Sequence, residues 1–178
     1  MFGFILKDER YKMTNHLGQL ITFEGIEGSG KSTQMLKLCD YLTQKGCSVV
    51  ATKEPGGTDF GMDMRRMILN PNQPFFSKKT EIMLFYADRL EHVEGVIKPA
   101  LAAGKIVVCD RYFDSTLAYQ WGGRHMPKDL LMVLQDQVDL SPHLTLVLDL
   151  PPEEGMRRAV ERSALDRFEQ EEIGRAHV

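Results

Sequence analysis

The sequence predicts an α/β protein in which a parallel sheet is flanked by helices. Four short apolar runs, at residues 20–23, 48–52, 106–109 and 144–150, are typical of buried strands. Segments with helical spacing separate these runs, and strands that are joined through a helix usually lie parallel. A glycine-rich turn joins the first strand to the first helix. Together these observations predict the element order β–α–β–α–α–β–α–β–α.

The composition is that of an ordinary globular protein with one domain. The chain has 178 residues, of which 43% are hydrophobic and 26% charged. Its net charge of −3 gives no support for nucleic acid as a partner, and no apolar run is long enough to span a membrane. The three cysteines (Cys39, Cys47 and Cys109) lack metal-ligand spacing, and their odd number argues against a disulfide framework. These features predict a reducing, cytoplasmic location and no membrane partner.

The turn after the first strand has the complete spacing of a phosphate loop, Gly25-x-x-x-x-Gly30-Lys31-Ser32. Residues 34–45 follow with apolar side chains at helical spacing, so the turn leads into a helix as the motif requires. Backbone N–H groups and the helix dipole would surround a polyphosphate. Lys31 would reach the β- and γ-phosphates, and Ser32 would be a ligand of Mg²⁺. A flexible glycine turn with an unrelated lysine is the alternative. The predicted ATP-binding residues are Gly25, Ile26, Glu27, Gly28, Ser29, Gly30, Lys31, Ser32 and Thr33.

Two helices are predicted between the second and third strands. The second strand runs into the sharp turn at residues 54–58, which lies where ligands bind in open α/β sheets. We expect one helix at residues 61–69 and another at 80–93, with Thr80 as the N-cap of the latter. The second helix is predicted to bury an apolar stripe that Asp88 and Arg89 interrupt. This stripe comprises Ile82, Met83, Tyr86, Leu90 and Val93.

The third strand ends in an acidic residue that suits a metal site. Asp110 and Arg111 directly follow the apolar run at 106–109. With a phosphate loop upstream, Asp110 would hold Mg²⁺ through water and complete a site with Ser32. Arg111 would hold a phosphate through two hydrogen bonds. The alternative for Asp110 is the start of an ordinary turn.

An arginine-rich helix follows the last predicted strand. The segment 151–170 carries four arginines, among them Arg158 and Arg162. A charged helix is usually a solvated surface. Because this one follows the ligand end of a parallel strand, we predict a lid that closes arginines over the transferring phosphates and excludes water.

Four motifs, taken together, resemble those of the thymidylate kinase family. They are the phosphate loop FEGIEGSGKST at residues 23–33, EPGGT at 54–58, Phe85-x-Ala87-Asp88-Arg89, and DRYxxSxxAYQ at 110–120. Each motif is modest alone, but four in this order are highly specific, and the resemblance covers about residues 20–169. It implies a P-loop fold of the nucleoside monophosphate kinase type. It also implies in-line transfer of the ATP γ-phosphoryl group to dTMP with Mg²⁺, without a covalent intermediate.

The resemblance implies a role for each matching residue. Phe85 would stack on thymine, Arg89 and Arg111 would hold the acceptor and its phosphate, and Tyr119 would crowd the 2′ position of the sugar. Glu27 would lie near the acceptor sugar and the metal. The implied dTMP-binding residues are Glu27, Phe85, Arg89, Arg111, Thr116, Tyr119 and Gln120, with Thr116 and Gln120 at the thymine edge. The implied catalytic residues are Lys31, Arg111, Arg158 and Arg162, and the metal ligands are Ser32 and Asp110.

Two positions refine the resemblance. Gly28 stands where the eukaryotic type carries a loop arginine, so the chain resembles the bacterial type, which supplies arginine from the lid. Trp121 stands where a small residue is usual, which predicts a differently shaped loop at residues 122–127. A regulatory GTPase is one alternative, although we find no Asn-Lys-x-Asp motif to support it. The others are a different nucleoside monophosphate kinase and an inactive nucleotide-binding fragment.

We also make predictions for the two ends of the chain. Residues 1–12 precede a second candidate start, Met13, and predict a non-native or disordered extension; an ordered arm is the alternative. The kinase-like domain is expected at 13–172. The resemblance implies that this domain is incomplete, with an exposed sheet edge, because the family continues past the lid. Residues 173–178 match a translated sequencing-adapter run and predict an artefactual tail. We expect small nucleotides as partners, no nucleic acid, and a homodimer when the chain is complete.

Overall fold

A parallel sheet of four strands forms the centre of the fold. The computed structural model describes residues 18–70, 72 and 76–162. The strands are β1 (Gln19–Glu24), β2 (Val49–Lys53), β3 (Ile106–Asp110) and β4 (Leu144–Val147), and they lie in the order β2-β3-β1-β4 with every neighbouring pair parallel. The predicted fold class is confirmed.

Helical segments connect the strands. The α-helices are α1 (Lys31–Gln44), α2 (Asp59–Leu69), α3 (Lys78–His92), α4 (Lys98–Ala102), α5 (Phe113–Thr116), α6 (Lys128–Val138) and α7 (Pro152–Arg162). Two π-helical segments, Val93–Ile97 and Leu117–Gly123, continue α3 and α5 respectively. Trp121, which the sequence marks as unusual, lies in the second of them. Among the described helices, none has both the length and the apolar character needed to cross a bilayer.

The alternation of side chains along β1 supplies two hydrophobic cores, one on each face of the sheet. Leu20 points into the larger core, which also contains residues of α3, α4 and α6. Ile21 and Phe23 point into the smaller core, where they pack with Met35 of α1. Successive side chains of a strand face opposite sides, so a strand buried on both faces needs a continuous apolar run.

The register of the sheet brings several strand ends to one edge. Phe23 is opposite Asp110 in the pairing of β1 with β3, and Glu24 is opposite Val147 in the pairing of β1 with β4. The turns that follow β1, β3 and β4 therefore emerge side by side. This edge carries the phosphate loop.

The predicted inward face of α3 is partly wrong. Met83 and Leu90 are 47% and 37% exposed, whereas Asp88 and Arg89 are buried together with His92. The helix also begins earlier than predicted, because Ser77 rather than Thr80 is its N-cap. Polar side chains can occupy this buried face because residues 54–56 of the turn after β2 pair with them: Glu54 accepts from Arg89 and His92, and Gly56 N donates to Asp88. Buried polar groups cost little when they are hydrogen-bonded.

The prediction of a fully buried last strand is also wrong. β4 ends at Val147 instead of residue 150, and its residues are half-buried or exposed. The reason is its position: β4 pairs with β1 on one side and is an outer strand of the described sheet. The predictions for residues 1–12, 163–170 and 173–178 lie outside the described residues.

Candidate active site

Three glycines give the phosphate loop its shape. Gly25, Gly28 and Gly30 have φ angles of 137°, 73° and 91°, which side chains with a β-carbon rarely adopt. Gly30 precedes α1 and provides no side-chain cap, so the N–H groups of the first turn are left to face the loop. Such N–H groups, together with the positive end of the helix dipole, form an anion site.

Lys31 lies almost fully buried at the base of this loop. The residue is 5% exposed, and Nζ donates a hydrogen bond to Ile26 O at 2.7 Å. Burial lowers the pKa of Lys31 to about 8, and the positive charge of Arg111 acts in the same direction. Glu27 and Asp110 oppose the shift. A negatively charged phosphate bound beside this buried lysine would stabilise its charged form.

Ser32 and Asp110 form the pair predicted to hold a metal. Ser32 Oγ donates to Asp110 Oδ2 at 2.7 Å, whereas Asp110 Oδ1 is buried and has no hydrogen-bond partner within the described residues. The described residues contain no group of three or more His, Cys, Asp or Glu side chains that could hold a metal by themselves. Mg²⁺ does not require one, since it usually binds one or two carboxylates, waters and substrate phosphates. The pair therefore fits Mg²⁺ carried in with a nucleotide.

Arg111 links the phosphate loop to the segment after β3. Its Nη1 donates to Gly25 O at 3.1 Å and to Ser115 Oγ at 3.0 Å, while Nη2 is ion-paired with Glu27 Oε1. Its Cζ lies 5.4 Å from the centre of the Tyr119 ring. The backbone of Arg111 has a φ of 70°, a costly conformation for a residue with a side chain. Strain of this kind is common at functional sites.

A cleft of about 460 Å³ lies beside these residues and is wide enough for a small ligand. Arg111 and Tyr119 line it, as do the phosphate-loop residues Gly25 and Ile26. Arg89, Thr116 and Gln120 are not among its lining residues. They are buried and lie in an adjoining polar network.

This network holds Arg89 firmly. Nε donates to Glu54 Oε2 at 2.7 Å, and Nη2 donates to Thr116 Oγ1 at 2.9 Å. The Tyr86 and Tyr112 rings lie 5.1 Å and 4.9 Å from its Cζ. Burial alone would lower the pKa of Arg89, but the carboxylate of Glu54 raises it overall. Nη1 is buried and has no hydrogen-bond partner in the described structure.

The structure gives less specific support for three further residues that were predicted to contact thymine. Phe85 is half-buried on α3, one helical turn before Arg89. Gln120 Nε2 donates to Glu81 Oε1 at 3.2 Å, and the Thr116 hydroxyl accepts from Arg89. Contact of these three side chains with thymine therefore stays a prediction.

The helix α7 brings one of the predicted lid arginines, Arg158, to the phosphate loop. Arg158 Nε donates to Glu154 Oε1 at 2.8 Å, and its Nη1 lies 3.4 Å from Gly28 O. Arg162 is the last residue of α7, and its side chain lies outside what the structure describes. The roles of both arginines remain predictions.

Sequence reasoning missed one acidic residue of the site, Glu24. Its Oε1 accepts from Tyr112 N at 2.7 Å and its Oε2 accepts from Ser115 Oγ at 2.5 Å, so it fixes the segment that carries Arg111. Burial raises the pKa of Glu24. The sequence did contain a signal for this residue, because Glu24 is an acidic residue at the end of β1, just as Asp110 is at the end of β3.

A phosphate-loop motif at the edge of a parallel sheet, beside a serine and an aspartate that fit Mg²⁺, is typical of the class of P-loop enzymes that transfer phosphoryl groups. Within that class the chain belongs to the thymidylate kinase family, whose sequence model matches residues 23–175. The resemblance based on the four motifs is confirmed.

Individual relatives agree with this assignment. The chain is 48% identical over 161 residues to a thymidylate kinase of Pseudomonas savastanoi pv. phaseolicola. This alignment covers 89% of this chain and 76% of that relative. The chain is 45% identical over 162 residues to a thymidylate kinase of Desulfosudis oleivorans, across 86% of this chain and 76% of the relative. The crystal structure of thymidylate kinase from Ehrlichia chaffeensis is similar with a TM-score of 0.72 and 38% identity, and covers 81% of this chain and 83% of that chain.

Proposed function

We propose that this protein transfers the γ-phosphoryl group of ATP to dTMP, giving ADP and dTDP for dTTP synthesis. The observation that carries the proposal is the position of Arg111. Its guanidinium contacts Gly25 O of the phosphate loop and Glu27, and it also lines the cleft with Tyr119. These contacts support a role for Arg111 between the donor and the acceptor, where negative charge would accumulate during transfer.

The donor side of the site is the phosphate loop. Its backbone N–H groups and Lys31 would hold the β- and γ-phosphates, with Ser32 and Asp110 binding the accompanying metal. Mg²⁺ held there by Ser32 and Asp110 would supply positive charge that neutralises the phosphates. The protein contributes positioning and fixed charge, which are the main requirements of phosphoryl transfer.

The acceptor side is formed by the segment after β3 together with α3. Arg111 and Arg89 would hold the 5′-phosphate, Phe85 would stack on the thymine ring, and Tyr119 would exclude a 2′-hydroxyl. Thr116 and Gln120 would lie at the thymine edge. Arg158 and Arg162 would complete the charge around the transferring group when α7 closes as a lid.

The direct experiment is incubation with Mg-ATP and dTMP, with dTDP identified by chromatography or ³¹P NMR. Lys31→Ala should lose at least about 10²-fold in rate while keeping the fold, because it removes a charge aimed at the transferring group. Lys37→Ala, an exposed lysine on the same helix, is the matched control and should be unaffected. Substantial activity in folded Lys31→Ala would contradict this assignment.

Two alternatives have distinct outcomes in the same assay. A different nucleoside monophosphate kinase would prefer another acceptor over dTMP. An inactive fragment would bind nucleotide without producing ADP.

We also propose a cytoplasmic location and a homodimer. The outer surface of α2 and α3 supports the dimer, because Phe60, Met83 and Leu90 expose apolar side chains there. Phe60 and Leu90 line a shallow depression on this surface. Sedimentation should report a dimer that Leu90→Asp converts to monomer; a wild-type monomer at micromolar concentration would contradict the proposal.

A further inference from the structure

We propose that His92 is a positioning residue for Arg89 and acts through the carboxylate of Glu54. The inference rests on the proposed function, in which Arg89 binds the acceptor phosphate. His92 lines neither the phosphate loop nor the cleft beside it, and its side chain is fully buried. Its influence on the site would therefore be exerted through its hydrogen-bond partners.

The carboxylate of Glu54 is shared between two donors. Oε2 accepts from Arg89 Nε at 2.7 Å, and Oε1 accepts from His92 Nδ1 at 2.9 Å. An ionised carboxylate only accepts hydrogen bonds, so the proton lies on His92 Nδ1. Donors on both oxygens fix the plane of the carboxylate as well as its position, and Arg89 meets an acceptor that cannot rotate.

His92 is itself held on two further sides. Its Nε2 is hydrogen-bonded to Thr52 Oγ1 at 2.7 Å, which attaches the ring to β2. The backbone of Gly57 packs against the ring so closely that a β-carbon at that position would overlap it. The imidazole thus has one orientation, set by a strand and by the turn that also carries Glu54.

These contacts determine the direction of one nitrogen of Arg89, Nη1. Nε is bound to Glu54 and Nη2 to Thr116, so these two bonds fix the rotation of the guanidinium. Nη1 remains, buried and without a hydrogen-bond partner among the described residues. A buried donor of this kind has a strong preference for an incoming anion. If His92 no longer fixed Glu54, the direction of Nη1 would no longer be set.

The test compares variants of His92 by calorimetric titration with dTMP and with thymidine, which lacks the phosphate. His92→Asn keeps a donor near the position of Nδ1, whereas His92→Leu removes it. We expect the ratio of the two dissociation constants, thymidine over dTMP, to fall about tenfold in His92→Leu and to stay within about threefold of wild type in His92→Asn. Thr43→Val is the matched control: it removes an exposed side-chain hydrogen bond on α1, outside this network, and should leave the ratio unchanged.

A double-mutant cycle identifies the route. In a Glu54→Gln background, His92→Leu should change the ratio no further, because the carboxylate through which it acts is gone. An unchanged ratio in folded His92→Leu would overturn the inference, as would equal losses for dTMP and thymidine. Because binding does not require turnover, a wild-type protein that binds dTMP through its phosphate but forms no dTDP would refute the proposed activity and leave the role of His92 standing.

Discussion

Gly155 of α7 faces Gly28 of the phosphate loop so closely that neither position has room for a β-carbon. A β-carbon at Gly155 would lie 2.6 Å from Glu27 O, and one at Gly28 would overlap Gly155 O. The contact brings Arg158 to the loop, where its Nη1 lies 3.4 Å from Gly28 O. The approach of the arginine-bearing helix therefore depends on two glycines that belong to different elements.

Gly155→Ala should hold α7 away from the phosphate loop. We expect kcat to fall at least about tenfold while the dissociation constant for ATP changes less than about threefold, because a lid formed by α7 would act chiefly in the transition state. Gly95→Ala is the matched control, since a β-carbon there would meet only the flexible end of Glu91 at 3.9 Å. Equal kcat values for the two alanine variants would show that close packing of α7 is unnecessary.

The pKa of Lys31 predicts a pH limit for the free enzyme. Burial lowers this pKa to about 8, so Lys31 is charged below that pH and loses its proton above it. Since kcat/KM reports groups of the free enzyme, kcat/KM for ATP should be constant up to about pH 8 and then fall about tenfold per pH unit. Bound phosphates raise the pKa, so kcat should decline only at higher pH. A flat kcat/KM up to pH 9.5 would contradict the buried position of this lysine.

Asp110→Asn should weaken the binding of Mg²⁺ without unfolding the protein. The substitution removes the negative charge beside Ser32 Oγ, and we expect the Mg²⁺ concentration for half-maximal rate to rise about tenfold or more. Asp40→Asn, an exposed residue on α1, should leave it unchanged. The measurement is the reaction rate as a function of free Mg²⁺ concentration at saturating ATP and dTMP. An unchanged Mg²⁺ dependence in Asp110→Asn would remove Asp110 from the metal site.

Tyr119→Ala should relax the discrimination against ribose. The Tyr119 ring lies beside Arg111 at the cleft, where it would occupy the space of a 2′-hydroxyl. We expect the ratio of kcat/KM for dUMP over UMP to fall at least about tenfold, with KM for ATP changed less than about twofold. A parallel loss with both acceptors would instead indicate that Tyr119 supports Arg111 and does not select the sugar.

The phosphate loop and its flanking elements could be predicted from sequence because their determinants are local. Gly25, Gly30, Lys31 and Ser32 occur at fixed spacing between an apolar run and a helical pattern, and the loop forms as expected. Asp110 could be placed opposite Ser32 for a related reason, since parallel strands bring their carboxyl ends to one edge.

The buried face of α3 could not be predicted in the same way. Periodicity alone favours Met83 and Leu90 as inward residues, but the structure buries Asp88 and Arg89 instead. The burial of Arg89 depends on Glu54, a residue on the distant turn after β2 that accepts from it, and Asp88 accepts from Gly56 N on the same turn. A single sequence carries no signal for such a pairing, because the compensating charge is remote in the chain. The partial exposure of β4 escaped prediction similarly, since strand order depends on tertiary packing.

Competition between acceptors tests whether dTMP is the substrate. Equimolar dTMP, UMP, CMP, AMP and GMP are mixed with limiting Mg-ATP, and the diphosphates formed are separated and identified. We predict that dTDP accounts for nearly all of the product, and that dUDP is the main additional product when dUMP is included. CDP or UDP formed at a rate equal to that of dTDP would contradict the account.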